Sequence, residues 1–293
     1  MNLLLPTAAA MVNGILVGSA IVATRFVIDQ SSPVSLALLR YFIGFCCLLP
    51  PILWTRQMHF ERRDLLPIGL LGTLQFGGVV FLLNFALQYI SSARAALIFS
   101  SFPLLTMVFS AALGRERITW MKCLGVVLSV AGVGLALGEK AVQPSALGHV
   151  WIGELAVLAS AASGAACSVL YRPYLRKYPT LPLSGLAMLA SIVFLAVVAA
   201  WEGFFNALPR FTPSGWGAVG FIGIASGVGY YLWLWALNHT TPTNVTVFLA
   251  LSPITATLLG ALFLSERITG VIVLALVCIA SGLWIALWQT PQE

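Results

Sequence analysis

Gly114-Arg-Glu-Arg-Ile-Thr119 and Leu264-Ser-Glu-Arg-Ile-Thr269 are two versions of one phrase, each closing an apolar run that carries a proline, Pro103 or Pro253, eleven residues upstream. The shift of 150 residues that carries Glu116 onto Glu266 also carries Leu82 onto Leu232, Ala86-Leu87 onto Ala236-Leu237, Gly132 onto Gly282 and Ala136-Leu137 onto Ala286-Leu287. The chain is thus read as an internal duplication. Between charge clusters the apolar runs give ten spans, near 8–28, 34–54, 65–88, 93–113, 119–138, 150–171, 181–201, 214–237, 243–264 and 269–288, five in each copy. An odd number of crossings makes the second copy enter the membrane from the opposite face. Inverted copies of this kind are the architecture of alternating-access carriers.

Composition agrees. Of 293 residues, 60% are hydrophobic and 8% charged, and mean hydropathy is +0.98, too apolar for a water-soluble surface. A hydrocarbon core of about 30 Å takes roughly 20 apolar residues per helix, and these runs supply them with no stretch left over for a soluble domain. The N-terminus has no basic segment ahead of its apolar run and is read as the first span, not a cleaved signal. Trp54, Trp120, Trp151, Trp201, Trp216 and Trp288 fall at or near span ends, where an indole sits between lipid and headgroups.

Basic residues set the orientation. Arg56, Arg62, Arg63, Arg115, Arg117, Lys122, Arg172, Arg176 and Lys177 share a side with the N-terminus, against Arg25, Arg40, Arg94, Lys140, Arg210 and Arg267 on the other. The excess places both termini in the cytoplasm. The five cysteines lie inside spans without CxxC or metal spacing and are read as packing residues.

These residues resemble a known family. Pro103 and Pro253, the two closing phrases and the small-residue run Leu128-Ser-Val-Ala-Gly-Val-Gly134 are similar to the drug/metabolite transporter superfamily in its EamA-type ten-helix branch, and the chain resembles the YddG-type aromatic amino acid exporters within it. The resemblance implies an all-α polytopic membrane protein of ten transmembrane helices in two inverted five-helix repeats, residues 1–141 and 148–293. It also implies export of small organic metabolites, aromatic amino acids preferred, across a bacterial inner membrane through a central cavity lined by both halves.

No Asp, Glu, His or Lys falls in the middle of a span, although Glu154 lies about one turn inside the sixth. The solute must then be held by amides, hydroxyls and rings, and a facilitated mechanism is the simpler expectation. Gly77, Phe81, Asn84 and Gln88 follow one helical face, and their counterparts are Gly227, Tyr231, Leu234 and Asn238, with Trp233 nearby. Amides can meet a carboxylate or an ammonium, and the rings can stack on an aromatic solute. Interhelical hydrogen bonding is the other role open to that face. Asn13, Ser100 and Ser101 join the candidates, the serines because Pro103 frees a backbone carbonyl beside them. Hydroxyls of the kind at Ser19, Thr24 and Ser168 commonly bond their own helix. Pro103, Pro253, Glu116 and Glu266 are candidates for gating or for static kinks and caps.

The expected partners are a small-molecule solute and the lipid bilayer, with no nucleic acid, no cofactor, no metal and a functional monomer. Carriage of other drugs, cations or phosphorylated metabolites is the alternative within transport. A membrane receptor or scaffold, or an intramembrane enzyme, is the alternative outside it. The enzyme would need a convergent nucleophile, base or metal set that the spans lack.

Overall fold

The computed structural model describes residues 4–27, 30–55, 59–86, 89, 98–99, 101–115, 119–141, 150–206, 209–264 and 270–288. The first half comprises α1 (Leu4–Val27), α2 (Pro33–Thr55), α3 (Arg62–Gly72), a π-helical segment (Thr73–Gly78) running into α4 (Val79–Ala86), α5 (Phe102–Ala112) and α6 (Trp120–Ala141). The second comprises α7 (Val150–Leu170), a short α8 (Arg172–Lys177), α9 (Thr180–Trp201) and α10 (Pro213–His239). It then continues through α11 (Pro242–Val247), a 3-10 turn (Phe248–Ala250), α12 (Leu251–Leu264) and α13 (Gly270–Trp288). Six helical stretches are long and apolar enough to cross a membrane, beginning at Leu4, Val34, Arg62, Trp151, Thr180 and Pro213. Shorter apolar helices lie within Phe102–Ala112, Cys123–Gly132 and Val273–Gly282. Helix occupies part of every span drawn from the sequence.

Local sequence sets the ends. Thr212 and Thr241 each precede a proline at the head of a helix, and their hydroxyls accept from the Gly215 and Asn244 N–H groups at 3.1 and 3.4 Å. Gly114 and Gly203 stop α5 and α9 in the left-handed region at φ 63° and 83°. There the Arg115 and Phe204 amides reach back to Ser110 and Ala199, the glycine-terminated C-cap. The outer surface is apolar, and Trp54, Trp120, Trp151, Trp201 and Trp216 stand exposed at or near helix ends. Lipid, not water, suits such a surface.

Paired contacts give each helix a direction. Asn13 of α1 lies by Gly229, and Gln30, just past α1, lies by Gly215, so α1 and α10 are antiparallel. Gly223 meets Ile43 while Gly227 meets Gly44, so α10 runs with α2. Gly185 meets Ile52 while Glu202 meets Ser32, so α9 runs against α2. Gly72 meets Ala187 and Gly77 meets Phe194, so α3 runs with α9. Cys167 bonds the Leu71 carbonyl and Ser160 that of Val79, so α7 runs against α3 and α4. Following the chain of neighbours, α7 opposes α1, α9 opposes α2 and α10 opposes α3. Directly, α13 opposes α6, since Gly132 meets Ala275 and Gly282 meets Gly125. The halves are inverted copies.

Packing obeys the same relation. As α1 packs on α10 and α12, its counterpart α7 packs on α4 and α5; as α2 packs on α10, α9 packs on α3. The pairs α2–α9 and α6–α13 join counterparts across the seam, and α5 packs on α11, the segment leading into its counterpart α12.

Candidate functional site

Ser226, Tyr230 and Trp233 of α10, spaced by four and three, form one buried face turned to the seam. The Tyr230 ring packs edge-on to Phe76 at 4.2 Å between centroids, Phe76 meets Tyr41 at 4.7 Å, and Tyr171 lies 6.4 Å from Tyr230. Trp233 meets Phe102 at 6.2 Å, and Phe102 meets Phe99 at 5.5 Å. Both halves therefore contribute to one aromatic wall, from α2, the π segment and α5 on one side and from α7 and α10 on the other.

Several polar groups in and beside this wall lack the bond that most hydroxyls of the bundle make, Ser226 among them, to their own helix. Ser19, Thr24, Thr106, Ser129, Ser168, Ser184 and Thr255 each donate to the carbonyl one turn earlier, as expected of hydroxyls in apolar helices. The Tyr171, Tyr230, Ser101 and Ser110 hydroxyls and Gln75 Oε1 are buried without a hydrogen-bond partner among the described residues. Leaving such a group unpaired costs about 1–3 kcal/mol. Of these five, the four in and beside the wall, all but Ser110, are groups a polar solute could satisfy. Asn13 is buried on α1, facing Gly229 next to Tyr230.

The π segment positions Gln75 and Phe76. Its wider turn loosens the ladder around Gly72 and Val79, and side chains from the other half take up the carbonyls. Ser191 donates to Gly72 O at 2.6 Å, Ser160 to Val79 O at 2.8 Å, and the Cys167 thiol to Leu71 O at 3.7 Å. Inserted π turns of this kind recur at functional sites.

The two ends of the seam are tied differently. At one, Lys177 Nζ lies 2.6 Å from both Glu61 and Asp64, Arg63 pairs with Glu61, and the Tyr178 hydroxyl donates to Asp64. At the other, Ser32 donates to Glu202 at 2.8 Å, and Gln30 Oε1 accepts from the Thr212 amide at 3.0 Å.

The candidates read from sequence are distributed as follows. Trp233 lies in the wall, Ser101 beside it at the cap of α5, and Asn13 on the facing helix. Gly77 and Gly227 sit at helix contacts, against Phe194 and Gly44. Phe81 is half exposed and stacks on Phe85, while Tyr231 and Asn238 are half-buried on α10. Pro103 stands at the head of α5 and Pro253 in the first turn of α12, so both open a helix after a break, where the missing N–H costs least. Gln88, Ser100, Glu116 and Glu266 lie outside the described residues, as do the side chains of Asn84 and Pro253.

Sequence reasoning missed Tyr41, Phe76, Tyr171 and Tyr230, although four aromatics in spans were a signal. It counted Arg40 only toward the charge of one membrane face, although the span drawn at 34–54 contains it, and the structure holds it inside α2. There Arg40 Nε donates to Ser226 Oγ, and the guanidinium carbon lies 5.6 Å from the Tyr41 ring centre.

Known proteins share this plan. A protein of known crystal structure superposes with a TM-score of 0.85, covering 97% of this chain and 96% of its own, at 24% identity. The uncharacterized transporter YcxC of Bacillus subtilis is 26% identical over 94% of this chain and 90% of its own. An uncharacterized transporter of Archaeoglobus fulgidus is 25% identical over 86% and 87%. A biotin transporter of Salmonella typhimurium is 28% identical over 62% of this chain and 60% of its own. The profile of the EamA-like transporter family matches twice, over residues 5–138 and 151–288. A duplicated, lipid-faced helical bundle with relatives named as transporters and two matches covering nearly its whole length is a multi-pass membrane transporter, and this chain belongs to the EamA-like transporter family.

Proposed function

We propose that the protein exports small organic metabolites, with aromatic amino acids preferred, by alternating access at the seam between its halves. The observation that carries this reading is the aromatic wall built by both halves, with the Tyr171 and Tyr230 hydroxyls buried within it. Rings offer faces to an aromatic side chain, and hydroxyls and amides offer partners to an ammonium or carboxylate. Inversion supplies the cycle: when two inverted halves exchange conformations, an opening on one membrane face becomes an opening on the other. The excess of basic residues on the N-terminal side puts both termini in the cytoplasm of a bacterial inner membrane. The partial relative named as a biotin transporter fits the same chemistry, since biotin also joins a carboxylate to an apolar body.

Counterflow in proteoliposomes tests the substrate. Labelled phenylalanine, challenged with tryptophan, aliphatic amino acids, biotin, sugars and cationic drugs, should be displaced selectively by aromatic amino acids. Equal displacement by aliphatic amino acids or sugars would overturn the preference. Counterflow that survives collapse of all ion gradients supports facilitated transport, and uphill accumulation driven by an imposed proton gradient refutes it.

A further inference from the structure

We propose that Arg40 is the anchor for a carboxylate on the transported solute, so that the substrate class is small organic acids and zwitterions with an apolar or aromatic body. The inference deepens the transport reading above and rests on it.

Arg40 lies six residues inside the span that begins at Val34, about 9 Å along the helix axis. An ionised side chain at that depth is costly and by default functional. Its surroundings are built. Nε donates to Ser226 Oγ, and that hydroxyl passes its own proton to Ile222 O at 2.6 Å, so the serine is oriented as an acceptor toward Arg40. Ser226 shares its helix face with Tyr230, one turn on. The guanidinium carbon is 5.6 Å from the Tyr41 ring centre, and from Tyr41 the rings run without a gap through Phe76 to Tyr230 and Tyr171. One continuous surface thus begins in a cation and continues as ring faces with two hydroxyls, at Tyr230 and Tyr171, both more than nine-tenths buried.

That order matches a solute with an acid head and an apolar body. A guanidinium carries five N–H donors in a planar fork. The Ser226 bond employs the Nε donor, and the Nη donors are of the kind that grips a carboxylate by two parallel bonds. The wall beyond Arg40, from Tyr41 through Phe76, Tyr230 and Tyr171 to Phe102 and Trp233, is made of uncharged rings. It suits a single negative charge followed by apolar bulk better than a phosphate dianion, which calls for more than one cation.

The test uses the full-length protein in liposomes and solutes in matched acid and amide pairs, phenylalanine with phenylalaninamide and biotin with biotinamide. The readout is the concentration of each that halves counterflow of a labelled acid. Wild type should favour each acid over its amide. Arg40→Gln should weaken the acids by about 10- to 100-fold, the size of a charge-assisted hydrogen bond, and leave the amides unchanged. Arg40→Lys, which keeps the charge and loses the fork, should weaken the acids several-fold. It stands in should the glutamine variant fail to assemble. Ser226→Ala, which removes the orienting acceptor, should give a smaller loss of the same acid-selective kind. Equal losses for acid and amide would make Arg40 a structural residue and overturn the proposal, as would a wild type that carries no acid or shows no preference for acids. If biotin or aliphatic acids compete as well as aromatic ones, the aromatic preference fails while the acid-over-amide test of Arg40 still stands.

Discussion

Gly77 and Gly227 hold the same place in the two halves, and so do the residues they face, Phe194 and Gly44, yet the contacts differ. A methyl group on Gly227 would come 2.6 Å from the carbonyl oxygen of Gly44 and 2.9 Å from its Cα, so two backbones touch. On Gly77 it would come 2.5 Å from a ring carbon of Phe194, a side chain at the bundle's rim. The helix around Gly77 is the π segment Thr73–Gly78, whereas Gly227 sits in the uninterrupted α10. Duplication has kept the path of the chain and let the packing diverge. Around Gly227, α2 and α10 are locked backbone to backbone; around Gly77 the contact is a yielding ring against a loosened helix, and the α3–α9 seam has its own backbone contact at Gly72, against Ala187.

The largest expected effect tests that contrast directly. Gly227→Ala must push α2 and α10 apart and should cost about 1–3 kcal/mol, the usual range for overpacking, or abolish assembly. Gly77→Ala meets a ring that can swing, and the better helix propensity of alanine, up to about 1 kcal/mol, works in its favour. It should be near neutral. Thermal unfolding in detergent, followed by fluorescence-detected size exclusion, measures both, and equal losses would erase the distinction between the two contacts.

The staples of the π segment come next. Ser191 and Ser160 bond the Gly72 and Val79 carbonyls, and their counterparts in the other half are Tyr41 and Ala10, neither a serine. Ser191→Ala and Ser160→Ala should each cost about 1 kcal/mol, in line with hydrogen bonds between membrane helices. Amide hydrogen exchange should be faster at 73–78 than at 223–228 in the wild type, and faster still at 73–78 alone in the alanine variants. Exchange that rises equally in both segments would mean that the π turn is not where the slack resides.

Much of this was legible beforehand, for physical reasons that also mark where legibility ends. The repeated phrases at 114–119 and 264–269 and the odd number of spans per copy imply inversion, because crossing parity is arithmetic. The Thr-Pro and glycine helix ends follow from local backbone chemistry at Thr212, Thr241, Gly114 and Gly203. The face of each helix was harder. In lipid, both the outside and the inside of a bundle are apolar, so the period that marks a buried face in a soluble helix fades. The stripe read through Gly227, Tyr231 and Leu234 is one residue round from Ser226, Tyr230 and Trp233, which meet the aromatic wall. A π turn inserts a residue's worth of rotation that no spacing rule anticipates, and it brings Phe76 into the wall. Arg40 was counted only for orientation because a charge normally marks the end of an apolar run, and its tertiary partner, Ser226, shows that it works inside one.

The smallest expected effect lies at the two ends of the seam, where the halves also differ. Residues 61–64 and 177–178 correspond to 211–214 and 27–28. The first pair of loops is tied by Lys177 to Glu61 and Asp64, and the end holding the second by hydrogen bonds from Ser32 to Glu202 and from Thr212 to Gln30. Arg63 and Glu61 are well exposed and Lys177 and Asp64 less so, and exposed ion pairs contribute little and are screened by salt. The hydrogen bond from Lys177, with Arg63 adding to it, holds the Glu61 carboxyl below its ordinary value of 4.5. A carboxylate whose value is depressed on folding stabilises the folded contact at pH above its unfolded value, and that contribution is lost as pH falls through the depressed one. The ionic end should therefore stay closed across the neutral range and open only in acid, below the ordinary carboxylate value. High salt or Lys177→Met should open it slightly at neutral pH, and the hydrogen-bonded end should not respond to that substitution. Labelling of single cysteines introduced at the exposed positions 62 and 210, in a background from which the five native cysteines are removed, reads the two ends separately. A salt response at 210 equal to that at 62 would show that charge does not distinguish the two ends.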